Sequence, residues 1–207
     1  MKYRPYNSKQ WEIPLLLSGQ RTQFRKVIKG RPPDIFRFCS VKGGFIEFRH
    51  FKDDGKFQPR DCIPSPYRVG QRLRVKEVFR DWMPGGCEPM IELIEYKANE
   101  WSADKQPKCL GIPPSWKPAI AMPPWASRLT LEITDIRVQR LQEISEEDAI
   151  AEGVDMPLCA ESEGGIFETR RRIREIAFPA LWNRMNGKRS WNDNPWVLAV
   201  THKRAEV

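Results

Sequence analysis

The stretch RLTLEITDIRVQRL, residues 128–141, places Leu129, Leu131, Ile133 and their successors at every second position. Successive side chains of an extended chain point to opposite faces, so this period of two predicts a strand with one apolar face. RLRVKEVF, 72–79, repeats the pattern, with Leu73, Val75, Glu77 and Phe79 on one face and Arg74, Lys76, Val78 and Arg80 on the other. WVLAVTHK, 196–203, reads as a closing strand, and PMIELIEYKA, 89–98, as a further one. Short β-like runs, IFRFC and GGFIEFRHF, lie within 32–66 between prolines and glycines.

Helices are few. Residues 8–18 predict a short one, with Pro14 tolerated in its first turn and Gly19 ending it in a left-handed conformation. Ser145 precedes EEDAIA as a helix cap, with Asp148 three residues on and acids in the first turn. Ile166, Phe167, Ile173, Ile176, Ala177, Ala180 and Leu181 fit one helical face, bent or broken near Pro179. Strands with helices at the start and between the later strands predict an α+β, β-rich fold: a small barrel with helices packed on it.

The 207 residues suit one domain spanning 1–207 that needs neither disulfides nor metals for its core. Residues 80–124 hold eight of the 18 prolines and read as a long proline-rich irregular insertion, as does 32–66 in kind. The five cysteines form no CxxC pair and the two histidines, His50 and His202, stand alone, so no disulfide framework, metal site or cofactor is expected. No apolar run approaches the length of a membrane span, and MKYRPYNSKQWEIP lacks the apolar block of a secretory signal, so the expected location is cytoplasmic.

Charge is segregated. The chain carries +8, yet residues 1–31 alone hold eight Lys and Arg against Glu12, while 143–163 hold eight acids and no Lys or Arg. Such a chain favours polyanion partners, nucleic acid before anionic membrane. Five of these cations lie in LLLSGQRTQFRKVIKGR, 15–31, with no acid among them. After the Gly19 bend, an extended chain carries residues 21, 23 and 25 to one side, so Arg21 and Arg25 point together, as guanidinium forks that grip phosphate or a base edge do. A basic surface turn accounts for the same pattern.

LLLSGQRTQFRK resembles the signature of the ASCH domain family, I-L-x-G-x-K-T-x-T-x-R, in its phage- and prophage-encoded form G-R-K-T-Q-T-R-R. YRVGQRLRVKEVF resembles the family's G-D-x-L-x-V-x-E-x-W strand, MPPWASRLTLEITDIRVQRLQEISEEDAIAEGV its M-P-x-W-A-S-R strand and helix, and FPALWNRMNGKRSWNDNPWVLAVTHKR its closing element. These four blocks, in order, cover roughly half of the chain. The resemblance implies a PUA-like β-barrel that binds RNA or nucleotides in a cleft beside the signature, within a bacterial host's cytoplasm if phage-encoded. Some small members are amidohydrolases acting on an acylated cytidine through a Lys and a Thr of the signature and a Glu of the later helix. Those positions are Arg21, Phe24 and Glu152 here. Arginine stays protonated and phenylalanine has no hydroxyl, so only Glu152 is left as a candidate general base, and that activity is not expected.

The resemblance makes Arg21, Thr22, Arg25 and Lys26 candidate ligand contacts. Glu77 lies on the apolar face of its strand and needs a partner, Arg21 or Arg128, or else touches substrate. Trp125, Ser127 and Arg128 start a strand where an aromatic ring and a cation can stack on and hold a base, or simply cover the barrel end. Trp191, with Lys188 beside it, is a candidate rim contact, whereas Trp196 and the other tryptophans read as packing groups. RRRIR, 170–174, reads as a solvated helix face. The leading expectation is therefore a nucleic-acid or nucleotide-binding protein. A hydrolase of RNA or a modified nucleoside, and a protein-interaction module in phage growth using 80–124, are the alternatives.

Overall fold

The structure is a computed structural model and describes residues 3–29, 36–42, 44–50, 61–81, 94–101, 115–154 and 172–205. Along the chain run β1 (Arg4–Asn7), α1 (Glu12–Leu17), β2 (Gln23–Val27), β3 (Phe36–Lys42), β4 (Phe45–His50), β5 (Asp61–Pro64), β6 (Arg72–Lys76), β7 (Phe79–Asp81) and β8 (Ile94–Tyr96). There follow β9 (Thr130–Arg140), α2 (Glu146–Ala151), a π-helical turn (Ile173–Ala177), α3 (Phe178–Asn186) and β10 (Trp196–Arg204). The fold is α+β and strand-rich. Among the described residues the strands pair into open sheets and no barrel closes. No helix among them is long and apolar enough to cross a membrane.

The chain divides into two compact units, Met1–Gln20 with Gln71–Glu132 and Lys203–Val207, and Arg21–Gly70 with Ile133–His202. In the first unit, β1 pairs in parallel with β6, and β6 pairs antiparallel with the start of β9, Leu73 opposite Leu131. Leu73, Val75, Leu129 and Leu131 are all essentially inaccessible, as the period of two requires. Each such side chain contributes about 1.5–3 kcal/mol on burial. α1 begins at Glu12, four residues later than the expected 8–18, while Pro14 lies in its first turn and Gly19 follows it with φ +76° as expected. β7 pairs with β8, and Phe79, Ile94, Met122 and Ala126 form a core against Tyr96.

In the second unit, β9, β10 and β2 are neighbours in that order, with β10 antiparallel to β2 and Ala199 opposite Arg25. The described part of 32–66 is a regular antiparallel sheet in the order β3-β4-β5. A second core gathers Leu141, Ile144, Ala149, Ile173, Phe178, Trp182 and Val197. Here the helical face departs from expectation: Ile173, Phe178 and Trp182 are buried, whereas Ile176 and Ala180 are exposed. The π-turn is the reason. Its hydrogen bonds span five residues, so one extra residue is inserted and the buried face moves round the helix just before Pro179, which has no N–H to give back. Ile166 and Phe167, most of 80–124 and part of RRRIR lie outside the described residues.

Candidate functional site

Alternation along the segment that opens β2 carries Arg21, Gln23 and Arg25 to one side, and all three are buried. They meet α2, where Ser145 caps the helix by accepting the Asp148 N–H at 3.1 Å. Asp148 and Glu152 stand four residues apart and therefore share one helical face. Arg25 donates through Nη2 to Asp148 Oδ2 at 2.9 Å and through Nη1 to Glu152 Oε1. Gln23 donates to Asp148 Oδ1 at 2.9 Å, and Arg137 of β9 to both Asp148 oxygens at 2.8 and 2.9 Å. The Arg25 side chain has no exposed area and Glu152 only 1%. The Phe178 ring, 5.7 Å from the guanidinium carbon, lies beside the same group.

Sequence reading sets Arg25 and Arg21 over a cleft as phosphate forks. Arg25 is instead closed within the protein between two carboxylates, because α2 supplies both on the face it meets. Glu152, though part of the acidic run 143–163, is buried. Burial pushes its carboxyl above the ordinary glutamate range, with the Arg25 and Arg21 charges opposing. Burial acts the same way on Asp148, but hydrogen bonds from Arg137 and Gln23 and the charges of Arg25 and Arg137 outweigh it and leave this carboxyl low. Thr22 ties the segment in place: its N–H donates to Ala151 at 2.9 Å and its carbonyl accepts from His202 at 2.8 Å. Lys26, on the other face, is exposed.

His202 was read as an ordinary histidine. It is 3% exposed, its ring 5.8 Å from Phe24, which meets Tyr67 edge-on. Burial, with the Arg21 charge, lowers its pKa to about 4, so it is neutral at pH 7. Trp191 is half-buried and packs edge-on against Phe178 at 5.8 Å, beside the second core. Its N–H donates to Asn183 at 3.0 Å. Lys188 is exposed in the turn after α3.

The first unit gathers the remaining candidates. Arg128 forks onto Glu77, Nε to Oε1 and Nη2 to Oε2, each at 2.8 Å, so of the two partners considered for Glu77 the structure shows Arg128. Arg128 also donates to Asn99 at 3.0 Å and lies 4.0 Å from the Tyr96 ring centroid. Burial chiefly raises the Tyr96 phenol, with Glu77 adding and Arg128 opposing, and its hydroxyl donates to Ala126 at 2.8 Å. The Ser127 hydroxyl donates to the Val75 carbonyl at 2.7 Å. Trp125, in the 3-10 turn Pro124–Ala126, is 40% exposed on this pinned segment. The candidates thus fall into two groups: Arg21, Thr22, Arg25 and Glu152 in one unit, and Glu77, Trp125, Ser127 and Arg128 in the other.

Sequence reading missed Asp148 as a partner, together with Gln23, Arg137, Tyr96, Asn99 and His202. Only Asp148 carried a signal, its spacing of four from Glu152. Among the described residues no cluster of His, Cys, Asp and Glu is arranged to hold a metal ion. No family model, curated protein or solved structure matches this chain.

Proposed function

We propose that this protein binds single-stranded nucleic acid, RNA in the first instance, with the segment Met122–Arg128 as its base-contacting element. The observation that carries the reading is Trp125: a tryptophan 40% exposed on a turn whose next two residues are fixed by hydrogen bonds to Val75, Glu77 and Asn99. A base stacks on such a ring at low entropic cost because the backbone beneath it is already ordered. The +8 net charge and exposed cations such as Lys26 and Lys188 supply attraction to the phosphate backbone. The ASCH-like motifs support the same reading.

Hydrolysis with Glu152 as general base is less well supported. Such a base must reach the proton it abstracts, and Glu152 is 1% exposed with its carboxylate on Arg25.

The test is fluorescence polarisation with labelled single-stranded RNA and DNA oligomers across a potassium chloride series. Binding is expected at low salt, with log K falling linearly against log salt. Absence of affinity for either strand at the lowest salt overturns the proposal.

A further inference from the structure

The outward face of β6 carries a row of cations that a base contact at Trp125 does not use. Alternation turns Leu73 and Val75 into the core of the first unit and leaves Arg72, Arg74 and Lys76 on the other face, each half-buried. Their cross-strand partners share that face: Pro5 and Asn7 on β1, Thr130 and Glu132 on β9. Glu132 stands opposite Arg72, yet among the described residues no acid forms an ion pair with Arg72, Arg74 or Lys76. Two of the three cations are held in place. The Arg74 guanidinium carbon lies 4.5 Å from the Tyr3 ring centroid, and Lys76 donates to the Ile120 carbonyl at 2.7 Å, which leaves its ammonium further N–H donors. The same strand anchors the Trp125 segment, through the Ser127 hydroxyl on the Val75 carbonyl at 2.7 Å. The row therefore ends where that segment is tied down.

Alternate residues of a strand lie about 6.7 Å apart, so the cations repeat at that interval. Neighbouring phosphates on one nucleic-acid strand repeat at a closely similar distance. Like charges so arrayed repel one another, and a polyanion laid along them relieves the repulsion and gives up its own counterions. Resting on the single-strand reading above, we infer that β6 is the phosphate track of that site: successive phosphates lie on Arg72, Arg74 and Lys76, with a base of the same strand on Trp125. Arg80 continues the alternation but is not part of the track, because Glu95 already neutralises it. Contacts of this kind position the strand and carry no sequence preference.

The test is polarisation of a labelled oligouridylate over a potassium chloride series, on the parent and its variants. Arg72→Gln/Arg74→Gln removes two phosphate contacts and should flatten the slope of log K against log salt by about 1.4. Lys76 is left intact because it also holds the Ile120 carbonyl. Arg72→Lys/Arg74→Lys keeps both charges and should keep most of the slope. Arg174→Gln/Arg184→Gln removes the same charge from exposed positions in the second unit and should leave the slope unchanged. Trp125→Ala should lower affinity and keep the slope, since stacking releases no phosphate counterions. If Arg72→Gln/Arg74→Gln does not fold, Arg72→Gln alone carries the test at half the size. A parental slope in the folded Arg72→Gln/Arg74→Gln variant, beside weakened binding by Trp125→Ala, would overturn the track and leave the base contact standing. A flattened slope beside unchanged affinity in Trp125→Ala would do the reverse, and no binding by the parent would overturn both. Equal flattening by Arg174→Gln/Arg184→Gln, or displacement of the RNA by poly-glutamate at equal charge, would also overturn the track.

Discussion

Two guanidinium–carboxylate centres in this protein use the same chemistry and both bury a glutamate, but they differ in how far water reaches the arginine. Arg25, with Glu152 and Asp148, has no exposed side-chain area, whereas Arg128, with Glu77, keeps 24% of its side chain accessible and stands three residues from an exposed tryptophan. The enclosed centre lies between a strand and a helix and holds them in register. The open centre stiffens a segment that still presents a ring to solvent. An arginine in a basic sequence block is therefore not by itself a surface for an anion. What matters is whether the fold brings carboxylates to the face it points toward.

The largest expected effect comes from breaking the enclosed centre. Arg25→Met leaves Glu152 as a buried charge without its partner and should cost about 3–5 kcal/mol in urea unfolding. Arg25→Met/Glu152→Leu should recover most of that loss, because both charges leave together. A single-variant cost equal to that at Arg128 would erase the contrast.

Next in size is a pH effect from the same unit. The His202 pKa is depressed to about 4, so between that value and its usual 6.5 the unfolded chain binds a proton that the folded one refuses. The His202 contribution, present above pH 6.5, is thus lost on acidification by roughly 3 kcal/mol by pH 4, while the raised Glu152 carboxyl pulls the other way. The difference in unfolding free energy between the parent and His202→Phe should therefore fall by that amount across the window. The lowered Asp148 carboxyl adds a loss in the same direction at still lower pH.

Breaking the open centre should cost less. Arg128→Met removes a bidentate, charge-assisted contact from Glu77, whose side chain is 3% exposed, while vacating space that is itself 24% accessible, and should cost about 1.5–3 kcal/mol by the same urea assay. Trp125→Ala should cost less again, about 1–2 kcal/mol, since the ring is 40% exposed and only its covered part loses packing.

The strands were legible because period-two burial leaves a mark at every position. Leu129, Leu131 and Ile133 read correctly from their spacing alone, as did Leu73 and Val75. Caps were legible for the same local reason: Ser145 and Gly19 act on backbone within a few residues. The helix after Ile173 was misread because a π-turn inserts one residue without a compositional signature. The site was half legible. Arg21, Gln23 and Arg25 on one face followed from strand geometry, but what faced them did not. Asp148 lies 123 residues from Arg25 in sequence, and Arg137 reaches the same carboxylate from another strand. His202 looked isolated because its environment, Phe24 and the Arg21 charge, is assembled only by the pairing of β10 with β2.

The most direct test of the account measures RNA affinity and the urea midpoint together on Trp125→Ala. The stacking role predicts a midpoint lowered only by the lost packing of the ring's covered part and affinity for a single-stranded RNA oligomer lowered about five- to 150-fold, the range of one lost base–aromatic stack. Unchanged affinity in the folded variant would contradict it.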